Sequence, residues 1–275
     1  MSEFKVTSIT NRDGSHGPQI CGIVTFTGSG LTLPSGGLAG PRGRGIFGSG
    51  NTPSDTRRID MIEIATTGNA TDFGDDSVDG RGEGNASFAS ATRGIFAGGY
   101  STGDGNVSNI AYLTIASSGG VNDFGDLTSA RASNAGASNN TRGFSFGGAP
   151  TGSVGNSIEF VTIATTGDSS EFADLAHPGK QLNGGCESLT RGIILGGYTG
   201  TNPSDSTTTN NIQFFTFATQ GDTIRFGELT NFARNVIGVS DQTRGVRMGG
   251  STPSGFTNVI DFITMASEGN ATDFG

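Results

Sequence analysis

One unit of about 49 residues recurs five times along this chain, and no other feature restricts its possible folds so tightly. Three signals mark the unit, always in the same order. The first is an Arg-Gly pair that opens a strand running into small residues and a Gly doublet, as in Thr92-Arg93-Gly94-Ile95-Phe96-Ala97-Gly98-Gly99. The glycines of these pairs, Gly45, Gly94, Gly143, Gly192 and Gly245, lie 49, 49, 49 and 53 residues apart. The second is an apolar run: Ile59 to Ala65, Ile110 to Ala116, Ile158 to Ala164, Ile212 to Ala218 and Ile260 to Ala266. The third is a Phe placed 8 residues after the alanine closing that run, at Phe73, Phe124, Phe172, Phe226 and Phe274. An unvarying step across a Gly-containing stretch predicts a hairpin of fixed geometry. The stretch between doublet and apolar run varies instead and is longest from Tyr198 to Asn211, as a surface loop is.

Each unit therefore reads as four strands: one of small residues, the Arg-Gly strand, the apolar strand and an Asp-Phe-Gly strand. The apolar strand is greasy on both faces, with Ile158 and Phe160 on one and Val161 and Ile163 on the other. Burial on both faces requires a sheet packed between two neighbouring sheets. A four-stranded unit of this length is a propeller blade rather than a solenoid rung. Residues 31 to 275 span 245 positions, five times 49. The fold expected is all-β: a five-bladed β-propeller over residues 31–275, preceded by a short N-terminal β arm over residues 1–30. The small-residue strand belongs nearest the axis, and the first unit is the natural cover for the last.

Composition agrees with many short strands joined by tight turns. Glycine accounts for 48 residues and charged residues for only 15%. Nineteen phenylalanines at periodic places argue against disorder. A net charge of −9 without any basic block disfavours nucleic-acid binding, which needs clustered Lys and Arg. The polar start Met1-Ser2-Glu3-Phe4-Lys5 lacks the pattern of a secretory signal, and no apolar run is long enough for a membrane span. Cys21 and Cys186 make no disulfide framework. Synthesis in a reducing cytoplasm is expected, with any later location reached by assembly.

The doublets Gly98-Gly99, Gly147-Gly148, Gly196-Gly197 and Gly249-Gly250 resemble those of kelch-type propeller repeats, although the chain has no Trp and keeps the following Tyr only as Tyr100 and Tyr198. Closer still is a resemblance to kelch-like repeat proteins of tailed bacteriophages, particularly those of marine cyanobacteria. It is carried by Thr92 to Tyr100, by Ile64-Ala65-Thr66-Thr67-Gly68-Asn69-Ala70-Thr71-Asp72-Phe73-Gly74-Asp75, and by the arm from Ser8-Ile9-Thr10-Asn11-Arg12-Asp13-Gly14 to Thr25-Phe26-Thr27-Gly28. The resemblance implies a virion structural protein, tail- or capsid-associated, with a role in host attachment, and supplies no catalytic residues. Its implied location is the virion, assembled in the host cytoplasm.

Motifs with chemical meaning elsewhere have simpler readings here. Asp-Phe-Gly at Asp72, Asp123 and Asp273 is a repeated strand without the companion motifs of a kinase. Five-bladed propellers also serve glycosidases, with acids at the axis, but Glu187 and Asp241 are the only inner-strand acids. Asp126, Asp174 and Glu228 fall on outer strands. His16 and His177 are loop residues, and Cys186 is a buried small hydrophobe. No cofactor, metal site or catalytic set is expected. The repeated Arg44, Arg93, Arg142, Arg191 and Arg244 serve the blades, by pairing with repeated acids or with carbonyls between blades, rather than a ligand.

Two sets of residues are expected to make contacts. On the variable loops, Tyr100 and Tyr198 are suited to stack on sugar rings, while Asp104, Asn106, Asn202 and Asp205 are suited to hydrogen-bond hydroxyls. In the arm, Ile20, Val24 and Phe26 share one strand face, the pattern of a segment that docks on a partner's sheet edge or folds over the propeller. The partners expected are other virion proteins through the arm, a second copy in a homo-oligomer, and a host-surface glycan, with neither nucleic acid nor membrane insertion. The runner-up functions are a lectin-type propeller and, behind it, a glycosidase.

Overall fold

Each repeat unit folds into its own antiparallel sheet in the computed structural model, which describes residues 43–52, 54–77, 84–101, 103–150, 155–177, 180–181, 184–199 and 207–275. The chain divides into two units, Met1–Gly36 and Gly37–Gly275, and every described residue belongs to the second. The arm with Ile20, Val24 and Phe26 lies outside the described residues.

Among the described residues the structure is all-β and forms a five-bladed β-propeller. Blade 1 shows Arg44–Thr52, Ser54–Glu63 and Thr71–Asp75. Blade 2 is Ala86–Ala89, Arg93–Ala97, Asn109–Thr114 and Asn122–Asp126. Blade 3 is Arg131–Ser138, Arg142–Pro150, Ser157–Thr162 and Ser170–Asp174. Blade 4 is Gly184–Glu187, Arg191–Leu195, Asn211–Thr216 and Ile224–Glu228. Blade 5 is Ile237–Ser240, Arg244–Met248, Ile260–Thr264 and Thr272–Asp273. Within each blade, neighbours in sequence are neighbours in the sheet. The apolar strands stop two residues short of the alanines that end the sequence pattern, because those alanines enter the following turn.

The core lies between blades rather than within them. Ile158, Phe160 and Phe172 of blade 3 pack with Phe215 and Phe217 of blade 4, while Val161 and Ile163, on the other face of blade 3, pack with Phe88 and Ile95 of blade 2. Phe144 stacks on Phe217 across the third interface at 4.8 Å between ring centroids. A fully buried large apolar side chain contributes about 1.5–3 kcal/mol, against about 1 kcal/mol for a hydrogen bond. Apolar packing thus supplies most of the cohesion, and hydrogen bonds set its register.

That register repeats from one interface to the next. Gly119 N donates to Phe73 O at 2.7 Å, Gly167 N to Phe124 O at 2.7 Å and Gly269 N to Phe226 O at 2.9 Å. The glycine after each of these phenylalanines is the point of closest approach. A Cβ at Gly125 would stand 2.5 Å from the Gly167 carbonyl, and one at Gly227 would stand 2.0 Å from Gly269 O. The inner strands crowd in the same way: a Cβ on Gly185 would lie 2.3 Å from Gly136 O, and one on Gly238 would lie 2.3 Å from Gly185 O. This is why the strand nearest the axis holds small residues.

The repeated arginines join consecutive blades. Arg44 donates to Ile115 O, Arg93 to Ile163 O, Arg142 to Phe217 O and Arg191 to Met265 O, at 2.8 to 3.2 Å. Arg93, Arg142, Arg191 and Arg244 also lie over Tyr112, Phe160, Phe214 and Phe262 of their own blades, 4.5 to 5.2 Å from the ring centres. Carbonyls are the partners between blades, and no repeated acid pairs with these arginines; Arg44 alone among the described ones also meets an acid, Glu63 of its own blade, at 3.0 Å.

The sequence pattern predicts that blade 1 covers blade 5; among the described residues this contact is more open than the other four. Val239 is 47% exposed and Phe274 57%, whereas their counterparts in blade 4, Cys186 and Phe226, are 1% and 3% exposed. On blade 1, Phe47 and Ile64 are also exposed, at 58% and 62%. Backbone bonds fix four consecutive contacts, the third through Thr223 N to Asp174 O at 3.0 Å, and have no fifth counterpart among the described residues.

Candidate functional site

The variable loops are held by one repeated device. Both glycines of each doublet have positive φ, from 59° to 114°, a region that residues with a side chain rarely enter. These angles turn the chain away from the apolar strand, although in blade 3 it stays paired with the inner strand as far as Pro150. The carbonyl of the second glycine then accepts a bond from the returning chain: Val107 N to Gly99 O, Gly155 N to Gly148 O, Thr209 N to Gly197 O and Thr257 N to Gly250 O, at 2.9 to 3.0 Å. In blades 2 and 4 the NH of that glycine also reaches the next blade, at Arg131 O and Ala233 O. A loop of any length can leave from such a socket without disturbing the blade.

In blade 2 the loop is a miniature hairpin, Tyr100–Ser101 paired with Gly105–Asn106. Ser101 Oγ accepts from Gly103 N and fixes its turn. Tyr100 is 43% exposed and Asp104 is exposed at the turn. Asn106 is committed elsewhere: its Nδ2 donates to Ala149 O, in the Arg142–Pro150 strand of blade 3, at 2.7 Å. Below Asp104 is a shallow cleft of ≈ 630 Å³ that also holds Ser77, Asn109 and Asp123. Asn109 Nδ2 donates to Asp123 Oδ1 at 3.1 Å, which leaves carboxylate oxygens of Asp104 and Asp123 facing solvent.

In blade 4, Tyr198–Thr199 pairs with Lys180–Gln181. The Tyr198 side chain, Asn202 and Asp205 lie outside the described residues. Blades 2 and 4 are separated by blade 3, so the sequence-selected residues fall on separate loops and not in one pocket. Blade 5 adds a residue that sequence reasoning missed. Its hairpin, Ser251–Thr252 with Gly255–Phe256, carries Phe256 at 94% exposure. Phe256 was detectable as an aromatic inside a variable, polar stretch, a place where no repeat position asks for one.

Two buried ion pairs were also missed. Arg131 pairs with Glu159 in blade 3, and Arg247 with Asp261 at 3.0 Å in blade 5. Glu159 also accepts from Thr128 N at 2.9 Å, Thr128 Oγ1 at 2.7 Å and Ser169 Oγ at 2.5 Å. Asp261 likewise accepts from Thr230 Oγ1 at 2.6 Å, and Gln213 holds Thr223 Oγ1 and His177 N in blade 4. In blades 3, 4 and 5 this polar position of the apolar strand anchors the connection arriving from the previous blade, whereas blade 2 has Ala111 there. Burial pulls the guanidinium of Arg131 below its ordinary value, and Glu159 draws it back; Arg247 and Asp261 behave alike. Both pairs are sealed from solvent and suited to structure.

The acids considered for hydrolysis are differently placed. Glu187 ends the inner strand of blade 4, while Asp241 lies past the inner strand of blade 5, in the turn. Its carboxylate accepts from Thr243 N, Thr243 Oγ1 and Arg244 N at 2.6 to 2.7 Å, and these bonds hold it below the usual carboxylate range. Asn139 makes the same three bonds in blade 3. A carboxylate tied into a turn by three donors is a poor acid or nucleophile. Burial, with Glu187 beside it, pushes the Cys186 thiol far above its ordinary value, which makes it unreactive. No group of three or more His, Cys, Asp or Glu suited to a metal ion occurs among the described residues.

The class defined by this fold is a five-bladed β-propeller with a rim of loops leaving its blades. A scan against family models gives no match, and a search of curated proteins also returns none.

Proposed function

We propose that this chain is a structural and display protein of a tailed-bacteriophage virion, tail- or capsid-associated, whose propeller presents variable loops for host attachment. The observation that carries this reading is the division between constant blades and free loops. Hydrogen bonds, glycines and arginines repeat at the blade contacts, whereas the loops differ in length and expose Tyr100 and Phe256. The resemblance of the repeats to phage proteins supplies the biological setting. Imaging purified virions with an antibody to this chain tests it: labelled particles are expected, and particles free of label overturn it.

A lectin is the second reading, favoured by an exposed Tyr100 on the same hairpin as Asp104, which lines a cleft together with Asp123. Aromatic faces stack on sugar rings, and carboxylates accept from hydroxyls. On this reading a glycan array gives a signal that Tyr100→Ala and Asp104→Ala each weaken at least tenfold. An array silent at high protein concentration removes it.

A further inference from the structure

The exposed faces of blades 5 and 1 are the two halves of a contact that the molecule already makes four times. At the fourth contact, blade 4 contributes Cys186, Ile193, Leu195, Ile212, Phe214 and Phe226, all buried. The strand registers place Val239, Val246, Met248, Ile260 and Phe262 of blade 5 at the first five of these positions, and the Asp-Phe-Gly repeat places Phe274 at the sixth. Not one of them is fully buried. The other half of the first contact is supplied by Phe96, Leu113 and Ile115 of blade 2. Blade 1 has Phe47, Ile62 and Ile64 at those places, and Phe47 and Ile64 are exposed. Polar groups match as well. Arg244 lies over Phe262 but reaches no carbonyl of a following blade among the described residues, and Ile64 occupies the place of the acceptors Ile115, Ile163, Phe217 and Met265.

We infer that blade 5 of one molecule binds blade 1 of a second copy, repeating the internal blade contact head to tail. Each copy carries both halves, so the contact is heterologous and extends an interface whose chemistry is already established. Large apolar side chains left open in a row mark such a surface. This inference does not depend on the proposed function.

Light scattering on the full-length chain across a wide concentration range tests it, with Phe274→Glu closing one half and Ile64→Glu the other. The wild type is expected to gain mass with concentration, and each variant alone to stay monomeric. Mixing the two variants restores one intact half on each, so the mass doubles to a one-to-one dimer and rises no further. A wild-type monomer whose melting temperature falls with either substitution overturns the proposal in favour of closure within the chain. So does a monomer indifferent to both, or association that survives both. Both side chains are exposed, so folding should tolerate the changes, as circular dichroism will show. If either variant misfolds, Val239→Glu and Phe47→Glu form the equivalent pair.

Discussion

A single methyl group decides how closely two blades approach. Gly125 has φ of 148°, and its missing Cβ leaves room for the Gly167 carbonyl. Gly125→Ala is expected to cost about 1–3 kcal/mol in urea denaturation, through strain and the lost bond from Gly167. Blade 3 carries the counterpart experiment in its own sequence. Ala173 takes the glycine's place there, the bond from Gly221 to Phe172 is missing among the described residues, and a cleft of ≈ 560 Å³ opens beside them. Ala173→Gly should therefore change stability by less than about 1 kcal/mol, since a recovered bond offsets added chain entropy. The carboxylate of Asp241 gives a pH signal. Its depressed folded value means that its stabilisation is present above the unfolded value of about 3.9 and is lost as pH falls through the folded one. Asp241→Asn keeps the turn, as Asn139 does in blade 3, so the two stability curves should converge in acid and separate above pH about 4. At this scale the glycines and arginines were legible, because each recurs at a fixed step. Glu159, Gln213 and Asp261 were not. Their neighbours made the strand look apolar throughout, and nothing in Ile158-Glu159-Phe160 shows that Arg131 arrives from another strand.

Among elements, the Arg-Gly strand does two jobs that separate by substitution. Arg142 both covers Phe160 and donates to Phe217 O of the next blade, whereas Arg244 covers Phe262 and reaches no carbonyl of another blade among the described residues. Arg142→Ala should cost about 1–3 kcal/mol, and Arg244→Ala no more than about 1 kcal/mol, in parallel urea titrations. The inner pair of blade 3 is more demanding. Glu159→Ala leaves Arg131 charged and enclosed and should cost about 3–5 kcal/mol, while adding Arg131→Met recovers most of the loss. Thermal melts of the single and double variants check both statements. The order and type of the strands were readable from periodicity, since apolar residues on both faces and a constant hairpin step admit few alternatives. Strand ends were less so: the alanine at each run's end belongs to the turn, where small size serves as well as in a strand. The loop residues were chosen for their chemistry alone, and sequence could not show that Asn106 is already bonded to Ala149 O.

For the whole molecule, five copies of one period implied five blades, and the propeller follows. What the period could not convey was the state of the last contact, because identical repeats predict identical contacts everywhere. Hydrogen exchange should expose the difference: amides of blade 3, enclosed on both faces, exchange slowest, and those of blade 5 fastest among the blades with four strands. Uniform protection across the blades would contradict that ordering. The glycine socket beneath each loop has a consequence for descent. The same pair of glycines and the same returning bond receive the chain in blades 2 to 5. A loop copied from one unit of the gene into another therefore lands on a frame built to accept it. Unequal crossing-over between repeats, which scrambles most proteins, would here yield a folded chain with a reshuffled rim, so that new surfaces arise by recombination as readily as by point mutation.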